Sequence, residues 1–78
     1  MSHASEVRAR KLKVGDTIEG RETWPNGWHD AQLTLLWLGE TEACWKCRVR
    51  SHIMPEWTEW EEDCNWTLEC RDWKKVQP

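Results

Sequence analysis

The chain has 78 residues, a formal net charge of −3 and eight tryptophans, with no phenylalanine or tyrosine. This length allows one domain with a small core, and the negative charge argues against a nucleic-acid binder that acts through overall basicity. Three or four buried tryptophans would fill such a core, so we expect the others to lie partly exposed, where tryptophan is enriched at interaction surfaces.

The sequence carries no membrane or secretion signal. No segment approaches the ~20 apolar residues of a membrane span, and the N-terminus has no apolar stretch typical of a signal peptide. We therefore expect a cytoplasmic location, where structural disulfides are rare. On that basis the four cysteines are predicted to be thiols or metal ligands: Cys44, Cys47, Cys64 and Cys70.

The first half of the chain predicts an arm followed by two strands. Residues 1–10 are small and polar and predict a flexible arm or a short frayed helix, so the domain proper is expected over residues 11–76. Gly15-Asp16 is a turn signal, and residues 17–23 can extend as a strand around Ile18. Pro25, Asn26 and Gly27 predict a loop that continues to residue 31. Residues 33–38 form the next predicted strand, closed by a turn at 39–42.

Residues 43–50 show the clearest alternation in the chain. A strand places successive side chains on opposite faces, so Trp45, Cys47 and Val49 are predicted to face the core. The outward face then carries Lys46, Arg48 and Arg50.

The last third of the chain is less regular. Residues 51–55 form a connection, and residues 56–62 fit either a strand or a helical turn. A turn is expected at 63–65. Residues 66–71 alternate again, with Trp66, Leu68 and Cys70 inward, and Trp73 marks a bulge or the end of that strand.

Short strands separated by turns at this spacing predict a mainly β domain, a small SH3-like barrel of four to five antiparallel strands. The opening Lys-Val-Gly-Asp at 13–16 and the closing Trp-Lys-Lys-Val at 73–76 resemble small SH3-like barrel accessory proteins encoded by phages and prophages. The resemblance covers residues 11–76. It implies a barrel closed by its last strand, an accessory role, and a host cytoplasm as the location.

A zinc site is the main alternative use of the cysteines. Cys44 and Cys47 have the spacing of a zinc knuckle, and Cys64 and Cys70 could complete a tetrahedral set. Strand alternation opposes this, because it directs Cys44 and Cys47 to opposite faces. We therefore predict no cofactor, with a structural zinc held by these four cysteines as the alternative.

The remaining tryptophans predict a binding surface. Aromatic rings from adjacent loops can cage a cation, and carboxylates beside them add charge complementarity. The predicted binding residues are Trp24, Trp28, Trp57, Trp60, Glu59 and Glu61. The competing interpretation is that these rings pack over the ends of the barrel.

The sequence thus predicts a non-enzymatic, protein-binding accessory module. Its expected partner is a host or phage protein with a basic patch, bound through the Trp-rich acidic face. The alternatives are a zinc-stabilised structural domain and a nucleic-acid-binding module that uses Lys46, Arg48 and Arg50 with stacking tryptophans. Membrane binding is not expected, and the sequence leaves self-association open.

Overall fold

The computed structural model describes residues 2–64, 66, 68 and 71–76, and within them one helix and five strands form a mainly β fold. The strands pair antiparallel in a single sheet with the order β4-β3-β2-β1-β5. This confirms the predicted mainly β domain with four to five antiparallel strands. The elements are α1 His3–Ala9, β1 Thr17–Trp24, β2 Gly27–Leu38, β3 Ala43–Ser51, β4 Glu61–Asp63 and β5 Lys74–Lys75.

The connectivity is a four-strand meander with the last strand on the far edge. β1 to β4 pair in chain order, and β5 pairs with β1 through Ile18–Lys75 and Glu19–Lys74. A barrel closed by its last strand needs this pairing between the first and last strands. The two outer strands are short, three residues in β4 and two in β5, and every residue in them is charged.

The β1–β2 hairpin turns at Pro25 and Asn26, because Trp24 already pairs with Gly27. The predicted loop over residues 24–31 is therefore wrong beyond Asn26, and β2 begins at Gly27. The polar side chains that suggested a loop are accommodated by cross-strand partners. A Cβ at Gly27 would overlap the imidazole of His52, so a larger residue there would have to displace that side chain.

One face of the sheet, the core face, carries the hydrophobic core. Trp45 is fully buried, and Leu33, Leu35 and Ile18 are at most 2% exposed around it. The indole Nε1 of Trp45 donates a hydrogen bond of 2.8 Å to Nε2 of His3, so its polar atom is paired despite burial. The predicted inward direction of Trp45 and of Cys47, which is 7% exposed, is confirmed.

Helix α1 packs onto this core. Ser2 caps it by accepting a 3.2 Å hydrogen bond from the backbone N–H of Ser5. Ala4 and Val7, three residues apart and thus on one helix face, are both fully buried. Of the two predictions for residues 1–10, the flexible arm is wrong, and the short helix is present but packed on the core rather than frayed. At seven residues, α1 is too short to cross a membrane, and the described chain holds no longer helix.

The segment after β4 completes the core without forming the predicted strand in the described residues. Trp66, Leu68 and Arg71 lie outside any strand, although Leu68 is fully buried and Trp66 packs against the core. Cys70, which was also predicted to face inward, lies outside the described residues. Trp73 meets Trp66 edge to face at 6.4 Å and leads directly into β5.

Candidate functional site

The opposite face of the sheet, here called the ladder face, is polar and charged. Outward residues of β1, β2 and β3 lie opposite one another and form three cross-strand rows. Such opposed pairs have Cβ atoms close enough for their side chains to interact. The rows are Arg21–Asp30–Arg50, Glu19–Gln32–Arg48 and Thr17–Thr34–Lys46.

The first row is a buried carboxylate between two arginines. Asp30 is only 2% exposed, and it accepts hydrogen bonds from Nε of Arg21 at 2.7 Å and from Nε of Arg50 at 2.8 Å. The hydrogen bonds from Arg21, reinforced by those from Arg50, hold the pKa of Asp30 below its usual value even though burial acts in the opposite direction. Asp30 is therefore ionised at neutral pH and fixes both guanidinium groups.

The second row gives its arginine a neutral partner. Nε of Arg48 donates to Oε1 of Gln32 at 2.7 Å, and Nε2 of Gln32 donates to Oε1 of Glu19 at the same distance. Within the described residues Arg48 forms no ion pair. Its guanidinium is thus held in place without a carboxylate in direct contact.

Three tryptophan rings lie between the cations of these rows, and together they form the Trp–cation ladder. Cations and rings alternate along the face in the order Lys46, Trp60, Arg48, Trp57, Arg50, Trp28, Arg21. A cation within about 6 Å of a ring centroid is attracted by the ring quadrupole. The distances to the ring centroids are 4.8 Å for Lys46–Trp60, 4.5 Å for Arg48–Trp60, 4.9 Å for Arg48–Trp57, 4.4 Å for Arg50–Trp57, 5.9 Å for Arg50–Trp28 and 4.3 Å for Arg21–Trp28.

Trp57 and Trp60 belong to an irregular segment that crosses the ladder face. The strand predicted as one alternative for residues 56–62 forms only at its end, where residues 61 and 62 belong to β4, and residues 56–60 form neither a strand nor a helical turn. Thr58 fastens the segment to β3, since its backbone N–H donates to the carbonyl of Val49 at 2.9 Å and its Oγ1 accepts from the N–H of Val49 at 3.1 Å. Both rings consequently reach the same face of the sheet.

Directly after β4, the chain is tied to β3 by a disulfide between Cys44 and Cys64. The prediction that the cysteines are thiols or metal ligands is therefore wrong for this pair, because β4 brings Cys64 beside the outward-facing Cys44. Cys47 lies on the core face, where burial raises the pKa of its thiol. The alternative zinc set is not brought together, Cys70 lies outside the described residues, and the described residues contain no cluster of three metal-ligating side chains.

The structure brings together three of the six predicted binding residues. Trp28, Trp57 and Trp60 share the ladder face, whereas Trp24 meets His52 edge to face at 6.3 Å. Glu59 and Glu61 are exposed, and Glu61 lies in β4 opposite Cys47. The rings do bind cations, but those cations are the chain's own.

Sequence reasoning missed the role of Arg21 and Asp30. It also treated the Trp-rich face and the basic strand face as two separate surfaces, whereas the structure superimposes them. A longer β2 would have placed its outward residues opposite those of β1 and β3, and this would have indicated the shared surface. The predicted loop at 24–31 concealed it.

A second exposed feature, the loop end, is formed by the β1–β2 turn and the loop after β3. Trp24, Ile53 and Met54 are 41%, 78% and 65% exposed. His52 ties the two loops together, because its backbone N–H donates to the carbonyl of Trp28 at 3.2 Å and its Nδ1 accepts from the N–H of Trp28 at 3.2 Å. The N–H of Ser51 donates to the carbonyl of Met54 at 2.9 Å, so this apolar end is well ordered by hydrogen bonds.

No protein-family model, curated protein or solved structure matches this chain. The resemblance to phage-encoded barrels accordingly stays a prediction.

Proposed function

We propose that this chain is a non-enzymatic protein-binding module that contacts its partner through the loop end. The observation that supports this is the exposure of Trp24, at the end of β1, and of Ile53 and Met54, on the adjoining loop after β3. Clustered apolar side chains on loops are typical of interaction sites, and methionine adapts to irregular partner surfaces.

The Trp–cation ladder has a supporting role in this proposal. Its rings are already paired with Lys46, Arg48, Arg50 and Arg21, so the rings offer little open space for a cation from a partner. The ladder instead holds residues 56–60 against the sheet, next in sequence to Ile53 and Met54. Ordering the contact loops before binding reduces the conformational entropy lost on association.

Charge next to the loop end indicates the chemistry of the partner. Glu56 and Glu59 are exposed and lie shortly after Met54 along the chain. An apolar patch with acidic neighbours complements an apolar pocket rimmed by lysine or arginine, and the rim charges chiefly raise the association rate. The proposed partner is therefore a protein with a basic-rimmed apolar pocket.

Nucleic-acid binding through β3 receives less support. Arg50 is held in an ion pair with Asp30, and Lys46 lies opposite Glu62 on β4. The rings that would stack on bases are already in contact with cations. A phosphate backbone would have to displace these contacts.

The test compares two apolar-to-polar changes of exposed residues. The double variant Ile53→Ser/Met54→Ser alters the loop end, and Val14→Ser, at a residue that is 62% exposed in the turn before β1, is the matched control. A partner protein that cross-links to both the wild type and the control would be purified. Its affinity for the wild type, the loop-end variant and the control would then be measured by calorimetry. Loss of two central apolar contacts should weaken binding by about 30-fold, that is about 2 kcal/mol.

The control should stay within about twofold of the wild type, and all three proteins should melt alike because the changed residues are exposed. A partner that binds the loop-end variant as tightly as the wild type would contradict the proposal.

A further inference from the structure

The ladder face borders a cleft that the proposed protein contact does not use. The cleft has a volume of about 490 Å³ and lies between the turn before β1, the end of β5 and the Trp60 end of the ladder. Cavities of this size accommodate small-molecule ligands.

Positive charge dominates the cleft. Three cationic side chains line it, Lys13, Arg48 and Lys75, against the single carboxylate of Asp16. The carboxylate of Asp16 already has partners, because it accepts a hydrogen bond from the backbone N–H of Lys13 at 2.9 Å and pairs with Nζ of Lys75 at 3.4 Å. The backbone hydrogen bond is the main reason that the pKa of Asp16 is lowered, so it stays ionised and offsets only one of the three cations.

Arg48 is the most restricted donor in this cleft. Its Nε is engaged by Gln32 and its guanidinium lies between the rings of Trp57 and Trp60. Neither Arg48 nor Lys13 forms an ion pair within the described residues. A guanidinium fixed by its surroundings and lacking a carboxylate partner is suited to bidentate binding of a phosphate group.

We propose that this cleft binds a small phosphate-bearing ligand. Two N–H groups of Arg48 bind one edge of the phosphate, and the ammonium groups of Lys13 and Lys75 complete the charge balance. Thr17 and Gln32 also line the cleft, and its volume leaves room for the rest of a phosphorylated metabolite. The site is separate from the loop end, so a failure of the proposed protein contact would not affect this proposal, and the reverse also holds.

The test is a titration of the full chain with inorganic phosphate at constant ionic strength, followed by two-dimensional NMR. We expect saturable shifts at the backbone amides of Lys13, Gly15 and Thr17 and at the indole N–H of Trp60. Sodium acetate, which supplies a planar anion, should produce no saturable shifts. Binding of acetate as tight as that of phosphate would overturn the assignment to phosphate.

Two variants and a matched control locate the site. Lys13→Gln and Arg48→Gln each remove one charge-assisted contact and should weaken phosphate binding about tenfold. Lys74→Gln removes the neighbouring β5 cation, which lines a different groove, and should change the affinity less than about twofold. Equal weakening by Lys74→Gln would indicate diffuse attraction and overturn the proposal, as would the absence of saturation in the wild type.

Lys13 is exposed, so its variant retains the fold and keeps the test decisive if Arg48→Gln unfolds. Ribose 5-phosphate in place of phosphate then identifies the source of the ligand. Tighter binding of the sugar phosphate assigns the cleft to a phosphorylated metabolite, and equal binding assigns it to free phosphate.

Discussion

The two faces of the central sheet use the same residue type in different ways. On the core face Trp45 is fully buried and is one member of an apolar cluster, with a single polar contact to His3. On the ladder face Trp28, Trp57 and Trp60 are half-buried, and their neighbours are guanidinium and ammonium groups. The same three strands present both environments because their side chains alternate.

The difference teaches how a short chain with few aliphatic residues gains a second packed layer. Burying an apolar ring on the core face removes a large area from water. A ring placed over a cation on an exposed face contributes only about 0.5–1 kcal/mol, but it orders two long side chains and the segment that carries the ring. The core face therefore supplies most of the stability, and the ladder face fixes the position of residues 56–60.

The largest effect should come from the core face. Trp45→Ala leaves a cavity and should lower the free energy of unfolding by about 3–5 kcal/mol. Lys46→Ala, the adjacent outward residue, should cost less than about 1 kcal/mol because its ammonium is one of several ladder cations. Urea denaturation of both variants checks this, and the reverse ranking would show that the two faces have been exchanged.

Loss of the disulfide should have the next largest effect on the free energy of unfolding. The disulfide closes a loop over 20 residues of chain, so breaking it should cost about 3 kcal/mol through the restored entropy of the unfolded state. Dithiothreitol should lower the denaturation midpoint of the wild type and leave the Cys44→Ser/Cys64→Ser variant unchanged. If the reductant leaves the wild type unchanged as well, the bond between Cys44 and Cys64 does not stabilise the fold.

The buried carboxylate gives a smaller, pH-dependent effect. Asp30→Asn removes the charge shared by Arg21 and Arg50, and it should cost about 1–3 kcal/mol at neutral pH, reduced because both arginines are partly exposed. The folded pKa of Asp30 lies below its unfolded value of 3.8, so the unfolded chain binds more protons between the two. This contribution is complete above about pH 4 and is lost as the pH falls through the folded pKa.

Urea midpoints at about pH 7 and about pH 3 measure this dependence. The difference between wild type and Asp30→Asn should shrink at the lower pH. Asp72→Asn, an exposed carboxylate, is the control and should show little change at either pH. A gap between wild type and Asp30→Asn that is independent of pH would mean that Asp30 is not held ionised by its arginines.

The fold class and the register of β3 could be predicted because alternation is a local property. Trp45, Lys46 and Cys47 take the faces that their spacing indicates. Helix α1 was one of two alternatives for residues 1–10, because seven residues are too few to display a clear helical period. Its packing could not be predicted, since Val7 is buried in a core that forms only when the strands fold. The full length of β2 was concealed by Asp30, whose burial depends on arginines from two other strands.

The candidate site was predictable only in its parts. Composition and turn signals pointed to Trp28, Trp57 and Trp60, and alternation pointed to Lys46, Arg48 and Arg50. The rings and the cations share one face because residues 56–60, which are irregular, pack across the sheet. No periodicity in the sequence predicts this long-range packing. The Cys44–Cys64 bond was missed for a similar reason, since the two residues meet only after β4 pairs with β3.

The brevity of the two outer strands bears on how this protein behaves at high concentration. An exposed strand edge can recruit a second chain and start aggregation, and a chain with eight tryptophans would be vulnerable to that. Here the sheet ends in Glu61–Asp63 on one side and Lys74–Lys75 on the other. Both edge strands are short and each carries charges of one sign, so either strand repels a copy of itself.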